Sequence, residues 1–220
     1  MEENKKAVCV LSGGLDSTTL LYDILNQGYD VHCISFDYGQ KHNKELEFAK
    51  KTCDKLKVEH IILDMKEMNK IAPSAITRDD IEVPEGHYEE DSMKSTVVPN
   101  RNMVLISLAT TYAISIKSQH VFYGAHAGDH AIYPDCRKEF VEAMQEAIML
   151  CDWVGINLHA PYIHMDKSDI VSRGKQLNVD YLLTWTCYCG RDKACGKCGS
   201  CQERLEAFEK NEMKDPMEYE

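Results

Sequence analysis

The sequence contains no apolar run that approaches the ~20 residues of a membrane-spanning helix. Its longest apolar stretches, such as Ala7–Leu11, are far shorter. It also lacks an excess of positive charge. Lys and Arg number 25 against 36 Asp and Glu, a net charge of −11 at neutral pH, with a pI near 5.3. A fold-wide basic footprint for nucleic acid or for an anionic lipid surface is therefore missing, and direct contact with either is not expected. The opening residues, MEENKK, are followed by no apolar core of a signal peptide, so a cytoplasmic protein is expected. Pro and Gly are few, 6 and 12 residues, and no internal repeat or low-complexity segment is visible. Fibrous and disordered classes are excluded on that composition.

What is present is a globular composition, 220 residues of which 44% are hydrophobic. A chain of this length buries roughly 70% of its unfolded surface, enough for a core that needs no disulfide. Its ten cysteines then point, in an unexported chain, to reduced thiols and metal chemistry.

Short apolar runs alternate with stretches of helical periodicity. Ala7–Leu11 reads as a buried strand that ends in the turn Ser12-Gly13-Gly14. Leu20, Leu21, Ile24 and Leu25 mark a helix face, with Gly28 as its stop. Val31–Phe36 is a second strand, Leu46, Ala49, Cys53 and Leu56 the face of a second helix, and His60–Leu63 a third strand. The segment Asp79–Asp91 holds seven acidic residues and no Lys or Arg, which predicts a solvated surface insertion. Regularity returns with a helix around Met103–Ile116, a strand near Val121–Tyr123, a helix near Phe140–Cys151, a strand around Ile156–Ala160 and a helix near Asp169–Leu177. Such alternation predicts an α/β fold, a parallel sheet with helices on both faces, whose ligands lie beyond the carboxyl ends of the strands.

The first strand end carries Ser12-Gly13-Gly14-Leu15-Asp16-Ser17. Glycines allow close backbone approach, and the hydroxyls with the free N–H groups of the next helix form an anion site. No Gly-Lys-[Ser/Thr] follows, so this is not a Walker A loop and suits a pyrophosphate held by backbone and hydroxyls. Asp16 could orient Mg²⁺ or the loop itself. These residues resemble the PP-loop of the ATP pyrophosphatase superfamily, whose members cleave ATP between the α- and β-phosphates and adenylate a substrate oxygen.

Near the carboxyl end, Cys187, Cys195, Cys198 and Cys201 are spaced C-x7-C-x2-C-x2-C. That spacing suits one structural zinc ion held by four thiolates. An iron–sulfur cluster is the main rival, disfavoured by the missing C-x3-C-P. Cys189 could replace Cys187 on spacing alone. Cys9, Cys33, Cys53 and Cys151 fall on expected core positions.

Polar segments follow the other strand ends: Tyr38-Gly39-Gln40-Lys41-His42, Val98-Pro99-Asn100-Arg101-Asn102, Tyr133-Pro134-Asp135-Cys136-Arg137, and Pro161–Lys167. Together with the SGGLDS loop and the cysteine spacing, they resemble the QueC (7-cyano-7-deazaguanine synthase) family over about residues 8–208. The resemblance implies a PP-loop, adenine-nucleotide-hydrolase-like (Rossmann-like) domain over 1–183 and a zinc-binding segment with a carboxyl-terminal helix over 184–220. It implies a ligase that uses Mg²⁺-ATP and ammonia to convert 7-carboxy-7-deazaguanine into the nitrile, a queuosine or archaeosine precursor, through an adenylated acid and an adenylated amide.

By the same resemblance, ATP lies on Val10, Leu11, Ser12, Gly13, Gly14, Leu15, Asp16, Ser17, Thr18, Thr19 and Leu20, with Ser35 and Phe36 near the adenine. Asp16, Arg101, Arg137 and Lys167 are its implied catalytic residues. Tyr38, Gln40, His42, Asn102, Asp129, Tyr133 and Asp135 are its implied substrate contacts. The zinc ligands are Cys187, Cys195, Cys198 and Cys201, and a homodimer is implied. Two rival readings use the same residues. A tRNA-thiolating enzyme would employ Cys136 as sulfur carrier, and a zinc-stabilised nucleotide sensor would bind ATP without turnover.

Overall fold

Alternation along the first strand decides the layering. In β1 (Lys6–Val10) Ala7 and Cys9 face one side and Val8 the other, all of them inaccessible to solvent, so the strand must be covered on both faces. The computed structural model describes residues 5–85, 91–128 and 132–220, with the side chains of 91 and 92 excepted. Asp129, His130 and the 86–90 part of the acidic segment lie outside the described residues.

β1 joins β2 (Asp30–Asp37), β3 (Glu59–Asp64), β4 (His120–Phe122) and β5 (Asn157–His159) in one parallel sheet of order β3-β2-β1-β4-β5. The helices are α1 (Leu15–Asn26), α2 (Lys44–Leu56), α3 (Arg101–Ser115), α4 (Lys138–Ile148), α5 (Lys167–Gln176) and α6 (Gly199–Lys210). α1, α2, α5 and α6 cover the face of Ala7, Cys9 and Cys33 through Leu20, Ala49, Ile170 and Phe208. α3 and α4 cover the face of Val8, Ile34 and Val121 through Ile106, Ala109 and Met144. The expected parallel α/β fold is thus present, with the strands in the expected places to within about two residues.

Neighbouring strands order the binding crevice. From β1 the chain steps outward to β2 and β3, then returns to the opposite side of β1 with β4. The direction of winding reverses between β1 and β4, and the crevice beyond their carboxyl ends is where sheets of this kind hold ligands.

β3 is an edge strand, and Ile61, Ile62 and Leu63 are 37–46% exposed. Two expectations need correction. Cys151 does not sit in the core; it is exposed just beyond α4. The acidic segment is not simply solvated. Lys41 Nζ donates to the Ile81 carbonyl at 2.6 Å, Val83 packs against the cysteine cluster, and Glu85 makes a backbone bridge to Cys198. Its described part therefore ties the loop after β2 to the carboxyl-terminal lobe.

Candidate active site and metal centre

The loop from Ser12 to Ser17 is held by its own hydroxyls. Ser17 Oγ accepts from the Ser12 N–H at 3.1 Å and shares a 2.9 Å hydrogen bond with Ser12 Oγ, which accepts from the Gly14 N–H at 3.1 Å. Gly13 has φ +88°, and a Cβ there would fall 2.0 Å from the Glu45 carbonyl oxygen. Only glycine lets α2 approach the loop this closely. The Gly13 carbonyl is in turn taken by the Trp185 N–H at 2.9 Å, which ties the carboxyl-terminal segment to the loop.

Beside the loop lies a charged group drawn from three elements. Lys167, first residue of α5, places Nζ 3.3 Å from Asp16 Oδ2 and 2.7 Å from Glu203 Oε2 of α6. A capping box between Asp166 and Asp169 fixes the start of α5 and so the origin of Lys167. His126 Nδ1 accepts from the Gly128 N–H at 3.1 Å, leaving Nε2 facing Asp16 Oδ2 at 3.6 Å. Burial opposes the charge on Asp16, but Lys167 and then His126 hold its carboxyl below the usual range. Asp16 Oδ1 is buried with no hydrogen-bond partner among the described residues. An orphaned acceptor of this kind, at the mouth of an anion loop, fits a Mg²⁺ ion or a phosphate-bound water.

A cavity of about 210 Å³ opens in front of the loop. Its first half is lined by Ser12, Gly14, Asp16, Ser17, Lys167 and Ser200, its second by Tyr38, His42, Glu45, Arg101, Tyr133 and Tyr188. Arg101 projects from the first turn of α3. Its guanidinium lies 5.9 Å from the Tyr38 ring centroid and 6.0 Å from that of Tyr133, and donates weakly to Tyr38 Oη at 3.4 Å. Among the described residues it makes no ion pair with a carboxylate. His42 is kept neutral, its pKa pushed by burial, then by Arg101, down to about 3. Burial pushes Glu45 up to about 8, with Gln40 and Arg101 working against it. The second half is therefore an aromatic recess in which Arg101 has no carboxylate partner among the described residues, suited to a planar anion.

At the carboxyl end, the Sγ atoms of Cys187, Cys195, Cys198 and Cys201 all lie within 4.8 Å of one another, and all four residues are buried. Backbone N–H groups point at the sulfurs: Cys195 to Cys187 at 3.3 Å, and Cys198 to Cys195 at 3.3 Å. Such donors favour thiolate, and four close thiolates can hold a metal ion. The structure brings Cys187, not Cys189, into the cluster, which settles the ambiguity of spacing. Cys201 lies in the first turn of α6, one turn before the buried Arg204. Arg204 makes a bidentate pair with Asp215 at 2.8 and 2.9 Å and donates to Thr184 Oγ1 and Thr186 Oγ1. The metal lobe is thereby stitched to the rim of the cavity.

The predicted site residues divide by position. Val10, Leu11, Ser12, Gly14, Leu15, Asp16, Ser17, Phe36, Tyr38, His42, Arg101, Asn102, Tyr133 and Lys167 line the cavity. Gly13 shapes the loop from behind. Thr18, Thr19 and Leu20 turn into the core: Thr19 Oγ1 bonds the Leu15 carbonyl and the Tyr181 hydroxyl, and Leu20 is wholly inaccessible. Ser35 Oγ is spent on the Leu11 carbonyl and His60 Nε2. Gln40 closes the end of β2 by bonding Tyr38 N–H and the Phe36 carbonyl. Asp135 accepts from the Asn102 N–H at 3.0 Å and so caps α3. Arg137 is exposed and does not line the cavity, and Asp129 lies outside the described residues.

Sequence reading gave no site role to Glu45 or Glu203, nor to Trp185, Thr186 and Tyr188, although the Thr184–Tyr188 segment belongs to the motifs that carry the resemblance. Glu45 had a usable signal, three residues beyond His42 at the start of a helix. Glu203 had none, because only the fold brings α6 to the loop.

The family model described as "Queuosine biosynthesis protein QueC" matches residues 6–212. A curated 7-cyano-7-deazaguanine synthase of Caldicellulosiruptor saccharolyticus is 64% identical over 98% of this chain and 96% of its own. One of Methanoregula boonei is 59% identical over 98% and 99%. Among solved structures, a U34-tRNA thiolase of Methanococcus maripaludis, described with its [4Fe–4S] cluster, has a TM-score of 0.53 at 16% identity, covering 95% of this chain and 67% of its own. A 4-thiouridine synthetase in an RNA complex with bound ATP has a TM-score of 0.54 at 17% identity, over 92% and 50%. These two show likeness of fold, the PP-loop type of α/β architecture. The family match over nearly the whole chain, with two relatives near 60% identity, establishes that the chain belongs to the QueC family.

Proposed function

We propose that the protein is a 7-cyano-7-deazaguanine synthase, a ligase that joins ammonia to 7-carboxy-7-deazaguanine at the expense of ATP cleaved between its α- and β-phosphates. The observation that carries this reading is the two-part cavity. An anion loop with Lys167 lies in one half, and Arg101, which has no carboxylate partner among the described residues, lies among tyrosines in the other. ATP would place its pyrophosphate on the Ser12–Ser17 loop and the α1 N-terminus, with Mg²⁺ near Asp16 offsetting phosphate charge. Arg101 would hold the substrate carboxylate, and Lys167 the charge that develops at the α-phosphate. Attack of the carboxylate oxygen on that phosphorus forms the acyl adenylate and releases pyrophosphate. Ammonia, free or delivered by another chain, displaces AMP to give the amide. A second adenylation, at the amide oxygen, followed by loss of AMP and a proton, leaves the nitrile.

No side chain need form a covalent intermediate; positioning and charge stabilisation suffice. Zn²⁺ at Cys187, Cys195, Cys198 and Cys201 would be structural, since four thiolates leave no open position. A cubane cluster would need its thiolates further apart, because its irons lie between them. We extend the reading to a homodimer acting in the cytoplasm, with residues 1–183 as the catalytic unit and 184–220 as the metal-bearing one.

Purified protein should release AMP from Mg²⁺-ATP only when both the acid and ammonium are present. Arg101→Lys, which keeps charge but loses the planar fork, should raise the KM for the acid by about tenfold or more while leaving that for ATP within about twofold. AMP release that ignores the acid would sink the proposal. The thiolation reading rests on Cys136, which does line the cavity and accepts from Asn102 Nδ2 at 3.1 Å. It predicts that Cys136→Ser abolishes turnover, whereas nitrile synthesis does not need the thiol.

A further inference from the structure

The aromatic half of the cavity contains a buried carboxyl group that the steps above do not use. Glu45 lies in the first turn of α2, only 8% exposed, and lines the cavity. Its Oε1 accepts from Gln40 Nε2 at 3.1 Å and stands 3.4 Å from His42 Nε2. Gln40 is itself locked, since its Oε1 takes the Tyr38 N–H at 3.0 Å and its Nε2 also donates to the Phe36 carbonyl at 3.2 Å. The end of β2 thus determines which oxygen of Glu45 faces the protein. Among the described residues no Lys or Arg forms an ion pair with it, although Arg101 is near enough to favour its charged form. A carboxyl kept dry and without a cation is costly unless something else supplies its hydrogen bonds.

The ligand proposed above has the matching chemistry. It is a planar heterocycle with a carboxylate on one edge and adjacent N–H donors, ring and exocyclic amino, on another. If Arg101 takes the carboxylate, the donor edge must meet an acceptor elsewhere in the same recess. Asp135 is spent on capping α3 through the Asn102 N–H, whereas Glu45 faces the cavity. Paired N–H donors are the natural partners of a carboxylate.

We infer that Glu45 is the specificity residue of the aromatic half, accepting hydrogen bonds from the amino and ring N–H groups of the 7-deazaguanine while Arg101 holds its carboxylate. The inference rests on the functional reading above. It gives the site a reason to prefer a 2-aminated ring over one that lacks the amino group. A substituted glutamine would keep its oxygen toward Gln40 Nε2 and turn its NH₂ to the ligand, setting donor against donor.

The test is calorimetric binding to the intact protein with α,β-methylene-ATP present, using 7-carboxy-7-deazaguanine and its counterpart without the 2-amino group. The unaltered protein should prefer the aminated acid by about tenfold or more, the scale of one buried hydrogen bond. Glu45→Gln should bind that acid at least about tenfold more weakly, lose most of the preference, and bind the nucleotide within about twofold of the unaltered protein. Glu45→Asp, which keeps the carboxyl on a shorter arm, should retain part of the preference. The assignment is overturned if Glu45→Gln keeps the full preference, or if acid and nucleotide binding fall together as for a merely structural residue. Should Glu45→Gln fail to fold, a Glu45→Asp variant with undiminished preference has the same force. If the unaltered protein binds neither acid, the functional reading itself falls, a result distinct from any behaviour of the variants.

Discussion

Arg101 occupies the first turn of α3, where the positive end of the helix dipole disfavours a cation. It gains no carboxylate partner there among the described residues; it lies by the rings of Tyr38 and Tyr133 and makes long hydrogen bonds to Tyr38 Oη and Asn102 Oδ1. A residue held against local electrostatics in a cavity is better explained by what it binds than by what it stabilises. Glu45 is the complementary case, and its burial has a consequence for stability. Burial raises its pKa from an ordinary carboxyl value to about 8, so the fold favours the protonated form. Stability from this group is whole below the unfolded value and is lost as pH rises through the folded one. The groups facing it do not titrate in that window: Gln40 is neutral, His42 is pushed down to about 3, Tyr38 up to about 12, and Arg101 stays charged. Glu45→Gln does not titrate at all. Its stability relative to the unaltered protein should therefore improve by about 2 kcal/mol between about pH 5.5 and pH 7.5, some 4–8 °C in relative Tm by scanning calorimetry. A constant difference across that range would show that Glu45 is hydrated.

Among the elements, α6 joins the four-cysteine cluster to the anion loop. Cys201 in its first turn belongs to the cysteine cluster, Glu203 reaches Lys167, and Arg204 pairs with Asp215 under the 184–186 strap. Arg204 is wholly inaccessible and Asp215 is 9% exposed, so removal of one partner strands a buried charge. Arg204→Met should cost about 3–5 kcal/mol, a fall of about 6–20 °C in Tm. The double variant Arg204→Met, Asp215→Leu should recover much of that loss, because it removes the stranded charge as well. No recovery would mean that packing of the strap, rather than the charge, sets the cost. Local spacing made some of this legible and hid the rest. The strand–SGGLDS–helix junction and the four cysteines could be read because each is specified by neighbours along the chain. Thr18, Thr19, Leu20 and Ser35 were expected near the nucleotide from the family resemblance, not from the chemistry of their own positions. The helical turn and the strand pleat instead direct them inward. Glu203 and Arg204 carried no local mark, since their roles exist only where α6 meets α5 and the carboxyl-terminal segment.

For the whole molecule, the winding reversal between β1 and β4 creates a crevice, and the described elements that line it arrive from a strand's carboxyl end or from the cysteine-bearing segment. That economy was visible in the alternation of strands and helices. The acidic segment was not, because its backbone contacts to Lys41 and Cys198 override its solvated composition. The central claim is that this crevice turns a carboxylate into a nitrile, and a mass measurement tests it most directly. Protein supplied with Mg²⁺-ATP, ammonium and 7-carboxy-7-deazaguanine should yield a product with the mass of the acid plus ammonia minus two waters, with two AMP formed for each nitrile. A product lacking only one water, stable to further enzyme and ATP, would contradict the account and make the protein an amide synthetase. No product at all would contradict it more deeply.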